Sequence, residues 1–409
     1  MNQVRLHRFV VIYAAALILL HGIILWNARH LIRKGYPDFT IFYSAARLVR
    51  EGFGHSLYDL QVQYRVQREF ASGVSIRQGA LPYNHPPFET ILFMPLSSLP
   101  YLGAYLVWDT LNLVLLAGVL WCVQSGLEKK WPGLWWGLFL CLAFFPVCVA
   151  LLQGQDIILF VLWFAAAYVS LKRGNDLAAG CWLGLGLFRF QLVLPFVAML
   201  GLRKRWRALA GFFAMAGVLG LVSVAIVGWH GLWDYPHYVW FVEGTMAHEA
   251  ISDMPNLRGF LAALLTGRIP TLVLDGITVV LSLGLVIFGA SHYKPGLKGE
   301  RFDLAFSLCV VIVVLVSYHS FAYDLCLLLL PVALVTNYVR SRGTIDLPRQ
   351  ILLIGPIFVL FLGPLHMVLL IHYGQLNVLA ILLVLWAWAI GRELALSSLD
   401  EEALLPSSP

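Results

Sequence analysis

The run Pro37-Asp38-Phe39-Thr40-Ile41-Phe42-Tyr43-Ser44-Ala45-Ala46 opens a long polar and aromatic segment that closes at Tyr83-Asn84-His85-Pro86-Pro87-Phe88. Apolar sequence flanks it on both sides, so its reading decides the fold: a loop held outside a membrane by spans before and after it. Phe42, Ala45, Ala46 and Val49 recur at i, i+3, i+4 and i+7, which predicts an amphipathic helix that begins after Asp38 and ends at Gly52. A second, polar helix is predicted from Tyr58 to Phe70, before a Ser/Gly stretch and the paired prolines. Two short helices lying on a membrane surface fit this pattern. Asp38 reads as an N-cap whose carboxylate satisfies an orphan amide of the first turn. A cap would also hold that carboxylate rigidly for chemistry.

The composition agrees with a membrane. Of 409 residues, 60% are hydrophobic and 12% charged, about half the charged share of a soluble domain. The net charge of +6 does not indicate nucleic acid, because Lys and Arg sit in short turns between apolar runs, the positive-inside signature. Cys122, Cys141, Cys148, Cys181, Cys309 and Cys326 all fall in apolar segments without paired spacing and read as small core hydrophobes. Phe9 to Trp26 follows Arg5, His7 and Arg8, lacks a small-residue cleavage site and reads as an uncleaved first span.

The fold class expected is therefore an all-α polytopic membrane protein with about 11 to 12 spans at roughly 20 residues each. Both termini are expected in the cytoplasm. Residues 1–391 form a single membrane domain in this reading, with extracytoplasmic loops at 27–88 and 229–258, and 392–409 is a disordered cytoplasmic tail. Between the basic turns Lys172-Arg173 and Arg203-Lys204-Arg205, both of which belong inside, Leu177 to Leu202 is predicted to double back as a hairpin. Phe188-Arg189-Phe190-Gln191 forms its tip, and an arginine at membrane depth is a functional-site hypothesis by default. Asp38, His85, Gln153, Gln155, His319 and Asp324 all fall at the outer ends of spans, which predicts one shared site there.

Several of these residues carry a resemblance. Asp38 with Phe42, Tyr43, Ala45 and Ala46, then Gly52, Leu57-Tyr58-Asp59, Tyr83, Pro86-Pro87-Phe88, Pro95-Leu96 and Trp108 with Asn112 resemble the GT-C glycosyltransferases of family 87. Gly154-Gln155 before a span and His319 with Tyr323-Asp324 extend the resemblance. It implies a GT-C-like bundle that moves a hexose, mannose in the expectation, from a polyprenyl phosphate to a lipid-linked or glycan acceptor in the bacterial plasma membrane. Where a Lys-Pro pair is expected in the hairpin, this chain has Arg189-Phe190-Gln191, which replaces a point charge with a fork. No Asp-x-Asp pair accompanies a nucleotide donor, the His319 to Asp324 spacing is not a metal motif, and neither a metal nor another cofactor is expected.

Such a transfer needs a base for the acceptor hydroxyl and a group to receive the departing phosphate. Asp38 is the candidate base, and one base on the attacking side implies inversion. His319, Arg189 and Arg258 are candidates for the donor phosphate. His85, Tyr83, Gln153, Gln155, Tyr323 and Asp324 are candidates for the acceptor or sugar. Several have a plainer reading: His319 satisfied by Tyr323 or Asp324, Arg189 in an ion pair with Asp156, His85 facing water beside a turn fixed by the prolines, Gln153 and Gln155 as helix caps, and the nearby Trp229, Trp233 and Trp240 as an interfacial belt. A transporter or flippase of lipid-linked sugars is the alternative function; polar residues distributed over both faces would favour it.

Overall fold

Long apolar runs fold here as helices because a backbone in lipid must satisfy its own hydrogen bonds. The computed structural model describes residues 3–72, 81–127, 133–246, 248–342 and 345–404. It is an all-α polytopic membrane protein, with no strand among the described residues. The Ser/Gly stretch at 73–80, the turn at 128–130 and the tail beyond 404 lie outside the described residues.

The first helix, α1 (Gln3–Arg33), leads into α2 (Phe39–Arg50) and α3 (Leu60–Phe70), the two amphipathic helices expected. Rather than lying free on a surface, α2 is enclosed, with Phe39, Phe42, Ala45 and Ala46 fully buried. Arg47 of α2 bridges to Glu69 at the end of α3 at 2.5 Å. The prolines then break the chain into short turns around α4 (Thr90–Phe93) before α5 (Tyr101–Gly126) begins at Pro100.

A bent pair follows, α6 (Leu134–Ala143) and α7 (Phe145–Gln153), which meet at 77°. Gly154 at φ +60° turns the chain from α7 into α8 (Ile157–Lys172). A side chain at 154 would be strained in that backbone and would stand 2.7 Å from Phe39 Cβ.

The predicted hairpin is present as α9 (Asp176–Leu185), a 3-10 turn at Gly186–Arg189, and α10 (Phe190–Leu202). Its 27 residues are long enough for one straight span. Yet a Cβ at Gly180 would lie 1.9 Å from the Ala208 carbonyl, at the start of α11 (Trp206–Met246). That contact requires α10 to bring the chain back beside the beginning of α9.

The segment 229–258, expected as an external loop, is largely helical. Helix α11 breaks at Gly228 (φ 74°), where the Val227 carbonyl stands 3.0 Å from His55 Nδ1, and then continues to Met246. Its second half packs over the first loop, Tyr235 donating to the Asn84 carbonyl at 3.1 Å.

After α12 (Leu257–Leu265) and α13 (Thr271–His292), α14 (Gly299–Val316) runs through the centre, buried from Phe302 to Leu315. A 3-10 turn (Ala322–Leu328) and α15 (Leu329–Arg342) pack against it, followed by α16 (Leu347–Leu360), α17 (Gly363–Met367) and α18 (Leu379–Leu404).

The tail expected to be disordered from 392 is instead helical through Leu404. Glu393 accepts from Tyr338 at 2.6 Å and from Arg349 at 2.6 and 2.9 Å, partners distant in sequence. Among the described residues, seven helices are long and apolar enough to cross a membrane, or nine if each bent pair is one span, fewer than the 11 to 12 expected. The hairpin counts once there, α8 is short, and α14 carries Glu300, Arg301 and Asp303 in its first turns.

Candidate active site

At the Asp38 end of the bundle lies a cavity of about 640 Å³. Of the six residues expected to share one site, Asp38, His85, Gln155 and His319 line it, together with Arg189, Tyr323, Asn84 and Gln191, whereas Gln153 and Asp324 do not. Phe188 and Phe190 of the hairpin tip line it as well, as do Tyr235, Val239 and Trp240 of α11.

Asp38 stands at the N-cap position of α2, but its carboxylate makes no capping bond to the helix. Instead Oδ2 accepts 2.7 Å from Gln155 Nε2, and the Asp38 amide donates 3.1 Å to Gln153 Oε1. The turn that supplies both glutamines is clamped by α5. Tyr105 donates to the Leu151 carbonyl at 2.7 Å, Trp108 Nε1 to that of Gly154 at 3.0 Å, and Asn112 to that of Gln155 at 3.2 Å. Gln155 is thus occupied at both ends of its amide, since Oε1 accepts from Arg189 at 2.5 Å.

Arg189 is buried and its fork is shared. Nε and Nη2 donate to Asp156 Oδ1, Nη1 donates to Asp324 Oδ1 at 2.6 Å, and the guanidinium lies 5.3 Å from the centre of the Tyr323 ring. The ion pair with Asp156 anticipated as the plainer role is therefore present. Two carboxylates and an amide compensate a charge whose burial alone would cost several kcal/mol. Asp324 also accepts the Phe321 amide on Oδ2 at 2.8 Å, which shapes the turn that carries His319 and Tyr323. His319 lies half-buried with Phe321 edge-on to its ring at 4.6 Å.

The other candidates sit differently. Tyr83 is buried beneath the loop and donates to the Pro86 carbonyl at 3.0 Å and to Glu89 Oε2 at 3.2 Å, a position that props the Pro86-Pro87 turn. Gln153 and Arg258 do not line the cavity. Arg258 stacks 3.8 Å over the Tyr318 ring and donates to the carbonyl and hydroxyl of that residue. Trp240, read as belt, stands at the cavity edge, exposed and lining at once.

Three buried residues were not singled out by the sequence. Gln63 and Gln67 of α3 are fully buried and bind the returning chain, Gln63 accepting from the Tyr83 amide and Gln67 bonding both backbone groups of Leu81. Glu89, also fully buried, lies beside Asp156 and 2.9 Å from His85 Nδ1. Burial takes the His85 imidazole down to about 4, and burial together with the neighbouring Asp156 raises the Glu89 carboxyl well above its ordinary range. No sequence signal marks Glu89, because an isolated glutamate after two prolines looks like a solvated loop residue.

No curated protein and no solved structure matches this chain. The sequence model of glycosyltransferase family 87 matches residues 83–317, more than half of the chain, and leaves Asp38, His319, Tyr323 and Asp324 outside the matched stretch. Several long apolar helices and this match together establish that the chain belongs to glycosyltransferase family 87 and is an integral-membrane glycosyltransferase.

Proposed function

We propose that this enzyme transfers a hexose, mannose in the first instance, from a polyprenyl phosphate to a lipid-linked or glycan acceptor at the extracytoplasmic face. Asp38 acts as general base. It takes the acceptor hydroxyl proton while that oxygen attacks the anomeric carbon, the bond from that carbon to the phosphate oxygen breaks, and polyprenyl phosphate leaves. Attack opposite the leaving group inverts the anomeric centre. His319 receives the phosphate, with Arg189 contributing positive charge from behind Gln155. The apolar side of the cavity, from Phe188 to Trp240, accommodates the start of the prenyl chain.

The observation that carries this reading is the carboxylate of Asp38. A residue expected to cap α2 makes no capping bond to the helix, accepts instead from Gln155, and lines a cavity it shares with His319. Transfer from synthetic polyprenyl-phosphate mannose into liposomes of host lipid tests it. Native protein should transfer and Asp38→Asn, which keeps the size but not the basicity, should lose activity by about 10²-fold or more. Full activity in the variant removes Asp38 as base. No transfer from any prenyl-linked sugar would favour the flippase reading.

A further inference from the structure

Behind the cavity wall three side chains converge, with Glu89 and Asp156 close enough for one carboxyl, if protonated, to hydrogen-bond the other. His85, Glu89 and Asp156 each offer one ligand atom, and these atoms all lie within 4.8 Å of one another. Asp156 accepts from Arg189 on Oδ1, which leaves Oδ2 buried with no donor while Glu89 is ionised. Glu89 accepts from Tyr83 on Oε2, which leaves Oε1 in the same condition. His85 Nδ1 stands 2.9 Å from Glu89 Oε2 yet is not aligned for a hydrogen bond. Leaving buried carboxylate oxygens without a partner is costly.

The charge balance points the same way. Glu89, Asp156 and Asp324 place three carboxylates around one guanidinium, that of Arg189. A proton shared between Glu89 and Asp156 cancels one negative charge and leaves the imidazole unused. A divalent cation cancels two and engages all three converging atoms.

We propose that His85, Glu89 and Asp156 bind one divalent transition-metal ion beside the cavity. One imidazole nitrogen with two carboxylate oxygens suits Mn²⁺ or Zn²⁺ rather than a soft, thiolate-seeking ion. Three protein ligands leave further positions for water, as open metal sites do. Entry is from the cavity, which His85 lines. Binding of the ion does not depend on the identity of the sugar donor.

The test uses the full chain in detergent, stripped with a chelator and then titrated with Mn²⁺ followed by electron paramagnetic resonance, with the thermal midpoint read in parallel. Native protein should take up about one Mn²⁺ per chain and melt at a higher temperature with it. Glu89→Gln and His85→Ala, made separately so that one misfolding variant does not decide the matter, should each weaken uptake by at least about 10-fold to 100-fold, the loss typical even of outer-shell changes. Saturable uptake of neither Mn²⁺ nor Zn²⁺ by the native chain overturns the proposal. So does uptake unchanged in both variants, or a metal-free Glu89→Gln that melts at or above native, which would assign the cluster to a shared proton. Sugar transfer is assayed apart, so failure of the donor assignment leaves this result readable.

Discussion

Asp38 and Gln155 divide one task at the scale of the residue. The carboxylate lines the cavity while the amide fixes its orientation, donating to Asp38 and accepting from Arg189. Gln155 was a candidate for sugar hydroxyls, but with both ends of its amide engaged it is better read as a positioning residue. Gln155→Leu is expected to lower kcat by about 10²-fold through misplacement of the base, with KM little changed. A rise in KM at constant kcat would return Gln155 to the role of sugar ligand.

The contact between α9 and α11 decides at the scale of the element whether Arg189 reaches the cavity. Gly180 and Gly184 of α9 meet Ala208, Phe212 and Met215 at distances that leave no room for a side chain. Small residues permit such approach in membranes, where packing rather than hydrophobicity joins helices. Gly180→Val should therefore push α9 from α11 and destabilise the protein by about 1–3 kcal/mol, read as a lower thermal midpoint in detergent. Gly217→Ala, where nothing lies within 4 Å, should stay close to native or rise slightly. Equal midpoints for the two variants would mean that the hairpin does not depend on this crossing.

Polarity is divided between the two ends of the whole molecule. The cavity occupies one end, while the other carries paired charges such as Lys172 with Asp303 at 2.6 Å and Arg349 with Glu393 at 2.6 Å. The proposed orientation places the cavity outside the cell. In intact cells, a membrane-impermeant maleimide should label Phe53→Cys in the first loop and spare Arg173→Cys, both of which replace exposed residues. Labelling of Arg173→Cys alone would invert the topology and with it the side on which donor is met.

The class of fold was legible without coordinates because the transfer of apolar residues into lipid, the positive turns and the i, i+3, i+4 periodicity of α2 are local properties. The hairpin of α9 and α10 was legible for the same reason, as the charges at its two ends forbade a straight crossing. Asp38, His85, Gln155 and His319 were legible as neighbours about the cavity, since outer ends of spans must converge when the spans pack, whereas Gln153 and Asp324 were expected there and do not line it. What the tertiary structure alone decided are the pairings: which acceptors Arg189 serves, that Asp38 meets Gln155 and not its own helix, and that Glu89 comes to lie beside Asp156. It also decided that α11 runs past Gly228 and that α18 continues past Gly391, where Glu393 finds Arg349 and Tyr338. Hydrogen bonds and ion pairs act over a few ångströms between groups separated by tens or hundreds of residues, so no window along the chain contains them.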